Sequence, residues 1–235
     1  MSENAPLIEC KGVERVFGQG EIEVHALRGV DLQVEDGEFT ALAGPSGSGK
    51  TTLLNQIGVL DTPTGGAVHI AGVDVTDYDR TEGAKYRLGN IGFVFQAYNL
   101  VPVLTAYENA EFVLLLQGAS ESERRETVLP LLERVGLEGY EDRKPHELSG
   151  GQQQRVAVVR ALAAKPRIVL ADEPTANLDS ETSKELLDLM AELNKEHGVT
   201  FLFSSHDEIV LERARRVVHL DSGLIDYEER RESKP

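Results

Sequence analysis

Cysteine is nearly absent: Cys10 is the single one in 235 residues. A lone thiol excludes an intramolecular disulfide framework and suits a reducing compartment. Its position reads as a small apolar residue on an N-terminal strand rather than a reactive centre. Basic residues are scarce too, 24 against 40 acidic ones, for a formal charge of −16. Nucleic-acid backbones demand a basic footprint, so no nucleic acid is expected as a partner. The same deficit disfavours direct adsorption to anionic lipid, and any link to a membrane is expected to run through a protein. Long apolar runs are missing as well. Phe112-Val113-Leu114-Leu115-Leu116 falls far short of a bilayer. The opening Met1-Ser2-Glu3-Asn4-Ala5-Pro6 has neither a basic patch nor an apolar core, and no signal peptide is expected.

What is present is ordinary in bulk, 40 % hydrophobic and 27 % charged, and long enough to bury a core without staples. One stretch organises the rest: Gly44-Pro45-Ser46-Gly47-Ser48-Gly49-Lys50-Thr51, which fits G-x-x-x-x-G-K-[ST]. Residues 38–43 before it read as a short buried strand, and 52–57 after it have helical apolar spacing. Gly44, Gly47 and Gly49 let the backbone curl so that N–H groups, including that of Ser46, point inward at phosphates. The helix start adds partial positive charge. Lys50 is expected to reach the β- and γ-phosphates, and the Thr51 hydroxyl to ligate Mg²⁺. A chance match in a glycine-rich turn is the alternative, and the flanking strand and helix argue against it.

Along the chain, strands are expected over 8–17 and 24–34, joined by a turn at Gly18-Gln19-Gly20. Phe17 offers a flat face on which a purine could stack; a half-buried strand phenylalanine is the alternative. A turn cluster over 61–66 precedes short strands at 67–70 and 73–75, a helical turn at 80–87, and a strand at 91–95 that ends at Gln96. From 97 to 148 the texture turns helical. Segments 105–117 and 121–135 are each apolar on one side, the second capped by Ser120 with Glu123 at the capping-box position and Val128, Leu131, Leu132 and Val135 inward. The α/β rhythm resumes with helices at 155–164, 181–197 and 207–214 and strands at 167–171, 200–204, 217–220 and 224–227. Residues 228–235 read as a solvated charged tail. This order predicts a mainly parallel, doubly covered sheet, with ligands at the carboxyl ends of its strands.

Two further constellations stand out. The apolar strand Ile168-Val169-Leu170-Ala171 ends in Asp172-Glu173, whose side chains alternate and can take different work. Asp172 suits Mg²⁺, and Glu173 is placed to polarise a water attacking the γ-phosphate. An ordinary acidic pair at a strand end is the bland alternative. Leu148-Ser149-Gly150-Gly151-Gln152 opens a helix, with Ser149 a candidate N-cap and two glycines baring backbone N–H groups. One nucleotide cannot lie against both helix starts of a compact domain, so this second one points to the γ-phosphate held by another copy of the chain.

The combination resembles the ATP-binding subunits of ABC transporters over essentially the whole chain. The resemblance rests on Gly44 through Thr51, the glutamine-ended strand at Gln96, Leu148-Ser149-Gly150-Gly151-Gln152, Asp172-Glu173, Asn177-Leu178-Asp179 and Ser205-His206-Asp207. It implies a P-loop NTPase fold of the α/β class, with an antiparallel N-terminal β subdomain and an inserted helical subdomain. Residues 1–96 and 149–235 would form the nucleotide-binding lobe, and 97–148 the helical lobe. The implied activity is ATP hydrolysis with ATP and Mg²⁺. Gln96 would couple Mg²⁺ and the attacking water to the helical lobe, His206 would contact the γ-phosphate, and Thr52 the α-phosphate. Phe17 would stack on adenine, and Asp179 would sit at a dimer seam. Ser149, Gly151 and Gln152 would complete the site of a facing copy, or of a related subunit, in a head-to-tail dimer. Ala176 departs from the family's frequent glycine without touching the chemistry.

Within that family, Gly58-Val59-Leu60-Asp61-Thr62-Pro63-Thr64 and the stretch from Phe95 through Asn109 are similar to lipoprotein-release, macrolide-export and cell-division ATPases (the LolD, MacB and FtsE types). Such a subunit would power a separate integral membrane subunit docking near residues 96–104, where Tyr98, Leu100, Val101, Pro102 and Leu104 are apolar. It would sit in the cytoplasm on the inner face of the membrane without inserting. Transmembrane signalling in cell division is one alternative. A soluble ABC ATPase of DNA repair or translation is another, disfavoured by the missing coiled coils, the missing second cassette and the negative charge. The histidines at 25, 69, 146, 197 and 219 have no ligand spacing, so no metal beyond nucleotide-bound Mg²⁺ is expected.

Overall fold

The computed structural model describes residues 5–19 and 22–231. The strands β1 (Ile8–Gln19) and β2 (Ile22–Val34) lead to β3 (Phe39–Ala43), and α1 (Lys50–Ile57) follows the glycine loop. Next come β4 (Gly65–Ile70), β5 (Val73–Asp74), α2 (Arg80–Asn90) and β6 (Ile91–Phe95). Two helices, α3 (Ala106–Leu116) and α4 (Glu121–Arg134), precede a 3₁₀ turn at Pro145–Glu147 and α5 (Gly150–Ala163). Alternation then closes the chain through β7 (Ile168–Asp172), α6 (Ser180–His197), β8 (Thr200–Ser204), α7 (Glu208–Arg213), β9 (Arg216–Asp221) and β10 (Leu224–Arg230). Gly20, part of the expected first turn, lies outside the described residues, as do 232–235 of the expected tail.

The strands form two sheets. One has four strands in the order β2-β1-β4-β5, all antiparallel. The other has six in the order β10-β9-β3-β8-β7-β6, parallel except for β10. Strand alternation distributes its side chains between two cores. Phe39, Ala41, Phe201 and Phe203 face a cluster with Leu132 of α4 and Val156 of α5. Leu42, Leu170 and Leu202 face a second cluster shared with Leu53 and Ile57 of α1 and with Ile8 and Leu27 of the antiparallel sheet. Both faces of the parallel sheet are therefore covered, and its strands β3, β8, β7 and β6 are apolar at nearly every position, as buried parallel strands require. Cys10 lies in the second cluster, 2 % exposed. Burial pushes its thiol up to about 12, with Asp31 and Glu9 adding to the effect.

Because β3, β8, β7 and β6 are parallel neighbours, their carboxyl ends share one edge. Gly44, Ser205, Glu173 and Gln96 are the residues that follow those ends. The topology thus gathers segments from four distant parts of the sequence along one line.

Three elements differ from the sequence expectation. α2 runs to Asn90 rather than stopping near 87, started by a capping box in which Asp79 and Glu82 serve each other's amides. α5 begins at Gly150, ahead of the apolar span that starts at 155 but where the candidate N-cap Ser149 marks it, because Ser149 and Gln152 make a second such box and offset the cost of two glycines. Glu228, Glu229 and Arg230 belong to β10 rather than to a tail, with Glu228 and Arg230 exposed to solvent as expected. Arg216, 7 % exposed, donates to both carboxylate oxygens of Glu228 at 2.9 and 2.8 Å and to the Gln33 carbonyl at 2.6 Å. A buried guanidinium needs such partners, and they hold the chain end to the sheet. The Ser120–Glu123 box forms as expected, with Val128, Leu132 and Val135 buried and Leu131 partly so.

Candidate functional site

The glycine loop admits no side chain at two of its positions. Gly44 has φ +147°, and a Cβ there would lie 2.1 Å from the Leu220 carbonyl oxygen. Gly49 has φ +105°, with the Ala26 carbonyl oxygen 2.6 Å from its would-be Cβ. Gly49 is also the N-cap of α1, which has no side-chain cap and no acidic residue in its first turn. Such a helix start leaves backbone donors for an anion. Lys50 is 7 % exposed and donates to the carbonyls of Gly44 and Pro45 at 2.7 and 2.9 Å, laying its ammonium across the loop. The Thr51 hydroxyl donates to Asp172 Oδ1 at 3.0 Å, joining the loop to β7. Two hard oxygens so placed fit Mg²⁺, which takes few protein ligands and relies on phosphate and water for the rest. Among the described residues no cluster of three or more His, Cys, Asp or Glu could hold a metal by itself.

Glu173 follows β7 with φ +46°, a left-handed conformation that costs a residue with a Cβ about 1–3 kcal/mol and is kept where surrounding structure dictates it. Its amide donates to the Ser204 carbonyl at 2.8 Å, which fixes the turn. The carboxylate accepts from Ser205 Oγ at 3.0 Å, and its Oε1 lies 2.7 Å from His206 Nδ1. Acid and imidazole are thus held together on adjacent strand ends.

An open cleft of about 520 Å³ lies along this edge. Ser46, Gly47, Gly49, Lys50, Thr51 and Thr52 line one part, and Gln96, Glu173 and His206 another. Val24, His25 and Ala26 of the antiparallel sheet and Ala176 complete the wall. Asp172 joins through Thr51, and Gly44 through Lys50. Phe17 stands beside the cleft, paired across β1 and β2 with the lining residue Val24. Phe17 is 39 % exposed.

Ser149, Gly151, Gln152 and Asp179 are not in this cleft. Ser149 Oγ accepts from the Gln152 amide at 3.3 Å, and Gln152 Oε1 accepts from the Ser149 amide at 2.9 Å. A Cβ on Gly151 would meet the Thr182 methyl at 2.6 Å, so α5 starts in close contact with α6. Asp179 caps α6, accepting from the amides of Glu181 and Thr182 at 3.1 and 3.0 Å. The Thr182 hydroxyl, more than these amides, holds the Asp179 carboxyl below its usual range.

Motif reading does not single out Ser205, Asn177 or Arg160 for positional work. Ser205 orients Glu173, and Asn177 Nδ2 donates to the Gln96 carbonyl at 2.8 Å. Both fall inside quoted motifs, which is the signal available for them. Arg160 has none. From α5 it donates to the carbonyls of Tyr98 and Asn99 at 2.8 and 2.5 Å, bracing two consecutive left-handed residues, φ 58° and 50°. The segment they begin carries Val103, 73 % exposed, beside partly buried Leu100 and Leu104. No described helix is long and apolar enough to cross a membrane.

Comparison with known proteins gives consistent relatives. A family model described as ABC transporter matches residues 27–176. The lipoprotein-releasing system ATP-binding protein LolD of Anaeromyxobacter dehalogenans is 48 % identical over 221 residues, covering 94 % of this chain and 92 % of that protein. The macrolide export ATP-binding/permease protein MacB of Syntrophobacter fumaroxidans is 47 % identical over 224 residues, 94 % of this chain but 31 % of that longer protein. Among solved structures, a dimeric post-hydrolysis state of an ATP-binding cassette bound to ADP and Pi superposes with a TM-score of 0.88 at 44 % identity, covering 95 % of this chain and 98 % of that one.

Proposed function

The chain belongs to the ABC transporter family as an ATPase subunit, and from that premise we propose that two copies close head to tail around two ATP molecules and so work a separate membrane subunit. The observation that carries this reading is the shared strand edge, where the glycine loop, Thr51–Asp172, Glu173–His206 and Gln96 meet in one cleft. Lys50 exchanges the Gly44 and Pro45 carbonyls for the β- and γ-phosphates. Thr52 meets the α-phosphate, and amides of Ser46, Gly47 and Gly49 surround the chain of phosphates. Thr51, Asp172 and Gln96 would hold Mg²⁺, which supplies charge neutralisation to the phosphates. Glu173 accepts the proton of the attacking water and so acts as general base. His206, released from Glu173, donates to the γ-phosphate. Phe17 receives adenine.

Ser149, Gly151 and Gln152 serve the nucleotide of the facing copy, with Asp179 at the seam. Their absence from their own chain's cleft supports this division, as does the dimeric form of the related cassette. In an isologous pair the two sites close together. ATP does work only by favouring the closed pair over the open one. The helical lobe, residues 97–148, carries the docking segment near 96–104, while 1–96 and 149–235 hold the nucleotide. The membrane subunit is of the lipoprotein-releasing or macrolide-exporting kind, by likeness to LolD and MacB, and it holds the chain to the cytoplasmic face.

The Glu173→Gln variant tests the shared site. It should bind Mg-ATP, hydrolyse it about a hundredfold more slowly or worse, and elute as a dimer from a sizing column. Elution as a monomer would remove the two-copy mechanism. Pull-down of the same variant from detergent-solubilised membranes, followed by mass spectrometry, tests the partner. A protein with few spans and a large extracytoplasmic domain is expected, and recovery of soluble partners alone overturns the transporter reading.

A further inference from the structure

Arg15, Phe17, Asp61 and Gln56 form a chain of contacts that the motifs do not explain. Arg15 and Phe17 are two apart on β1 and project from one face of the strand. The guanidinium carbon sits 4.5 Å from the centre of the Phe17 ring, within cation–π range. It is not free to swing away. Arg15 Nε lies 2.7 Å from Asp61 Oδ2, and Nη2 donates to Oδ1 at 2.8 Å. Asp61 is held in turn by Gln56, whose Nε2 donates to Oδ2 at 3.0 Å. Gln56 is 2 % exposed on α1, the helix that the glycine loop opens.

A phenyl ring has two faces, and the guanidinium occupies one, so a flat ligand has only the other. We propose that Arg15 is a positioning residue for the nucleotide base. Tied through Asp61 and Gln56 to α1, it sets the Phe17 ring at a fixed place relative to the phosphate loop before any ligand arrives. The ordering of the ring is then met on folding rather than on binding. A cation behind the ring also draws π density away from its free face, which favours stacking by an electron-rich purine. The proposal rests on Phe17 as the adenine platform.

The test compares ATP with inorganic tripolyphosphate, which has no base, on the full chain. Arg15→Gln should raise the KM for ATP about fivefold, with the loss falling on KM rather than kcat, and inhibition by tripolyphosphate should stay at the wild-type level. Arg15→Lys, which keeps the cation, should recover part of the loss. Phe17→Ala should raise KM about tenfold, and adding Arg15→Gln to it should change nothing more. A wild-type KM in Arg15→Gln beside a raised KM in Phe17→Ala overturns the positioning role and leaves the platform standing. A wild-type KM in Phe17→Ala removes the platform, and the proposal with it. Equal losses for ATP and tripolyphosphate would make Arg15 a prop of the fold and overturn the proposal too.

Discussion

Two glycine-rich stretches each open a helix in this chain, and they treat their backbone amides in opposite ways. The one before α1 ends in a left-handed Gly49 with no side-chain cap. The one before α5 spends Ser149 and Gln152 on a reciprocal capping box. The first is walled by its own chain at Gly44 and Gly49 and lines a cleft. The second lies against Thr182, and at Gly150 a Cβ would come 2.8 Å from the Tyr98 hydroxyl. One start is thus complete within a single copy. The other is capped by its own side chains, which use only the Ser149 hydroxyl oxygen and Gln152 Oε1 as acceptors and leave the Ser149 O–H and the Gln152 amide N–H groups able to donate elsewhere.

The sharpest way to break this contrast is Lys50→Ala. Loss of two charge-assisted bonds to phosphate should lower ATP affinity about a hundredfold or more, measured by isothermal titration. Unchanged affinity would remove the loop assignment and leave that of α5 untouched. Ser149→Ala should act at the other start. Affinity of the monomer for ATP should stay as it is, ATPase activity should fall about tenfold for one lost charge-assisted bond, and Tm should drop about 2–4 °C with the cap. Full activity with a lowered Tm would reduce Ser149 to a helix cap. Gln152→Glu separates the two roles most finely. Glutamate satisfies the capping box as well as glutamine, so Tm should hold within about 2 °C. A carboxylate facing a γ-phosphate should nonetheless slow ATP turnover about fivefold. Wild-type turnover would show that Gln152 meets no phosphate.

The two starts also differed in how plainly they could be read from residues alone. The first announces itself in eight consecutive positions, and β6 and β8 are legible to the residue because short apolar strands have abrupt polar ends. The start of α5 is legible from its cap residue Ser149, whereas its apolar spacing begins only at 155 because two glycines occupy the first turn. α2 reads short for a related reason. It buries only Gly83, so no apolar period marks its length, and its start depends on Asp79 and Glu82. Residues 228–230 look like a tail until Arg216, twelve positions away, supplies the partner of Glu228. Within the site, Lys50, Thr51, Asp172 and Glu173 come from local patterns. Arg160 on Tyr98 and Arg15 on Phe17 do not, since each depends on which elements the fold brings side by side. Long-range pairing of this kind leaves no period and no spacing in the sequence.

The burial of Cys10 makes the chain a blank slate for thiol chemistry. Its single sulfhydryl is shut away in the core and too weakly acidic to react at neutral pH. A cysteine introduced at the exposed Val103 would be the one handle that a maleimide dye could find, one per copy, on the segment proposed to touch the membrane subunit. Docking and pairing could then be followed as light, with no native residue removed to silence a background.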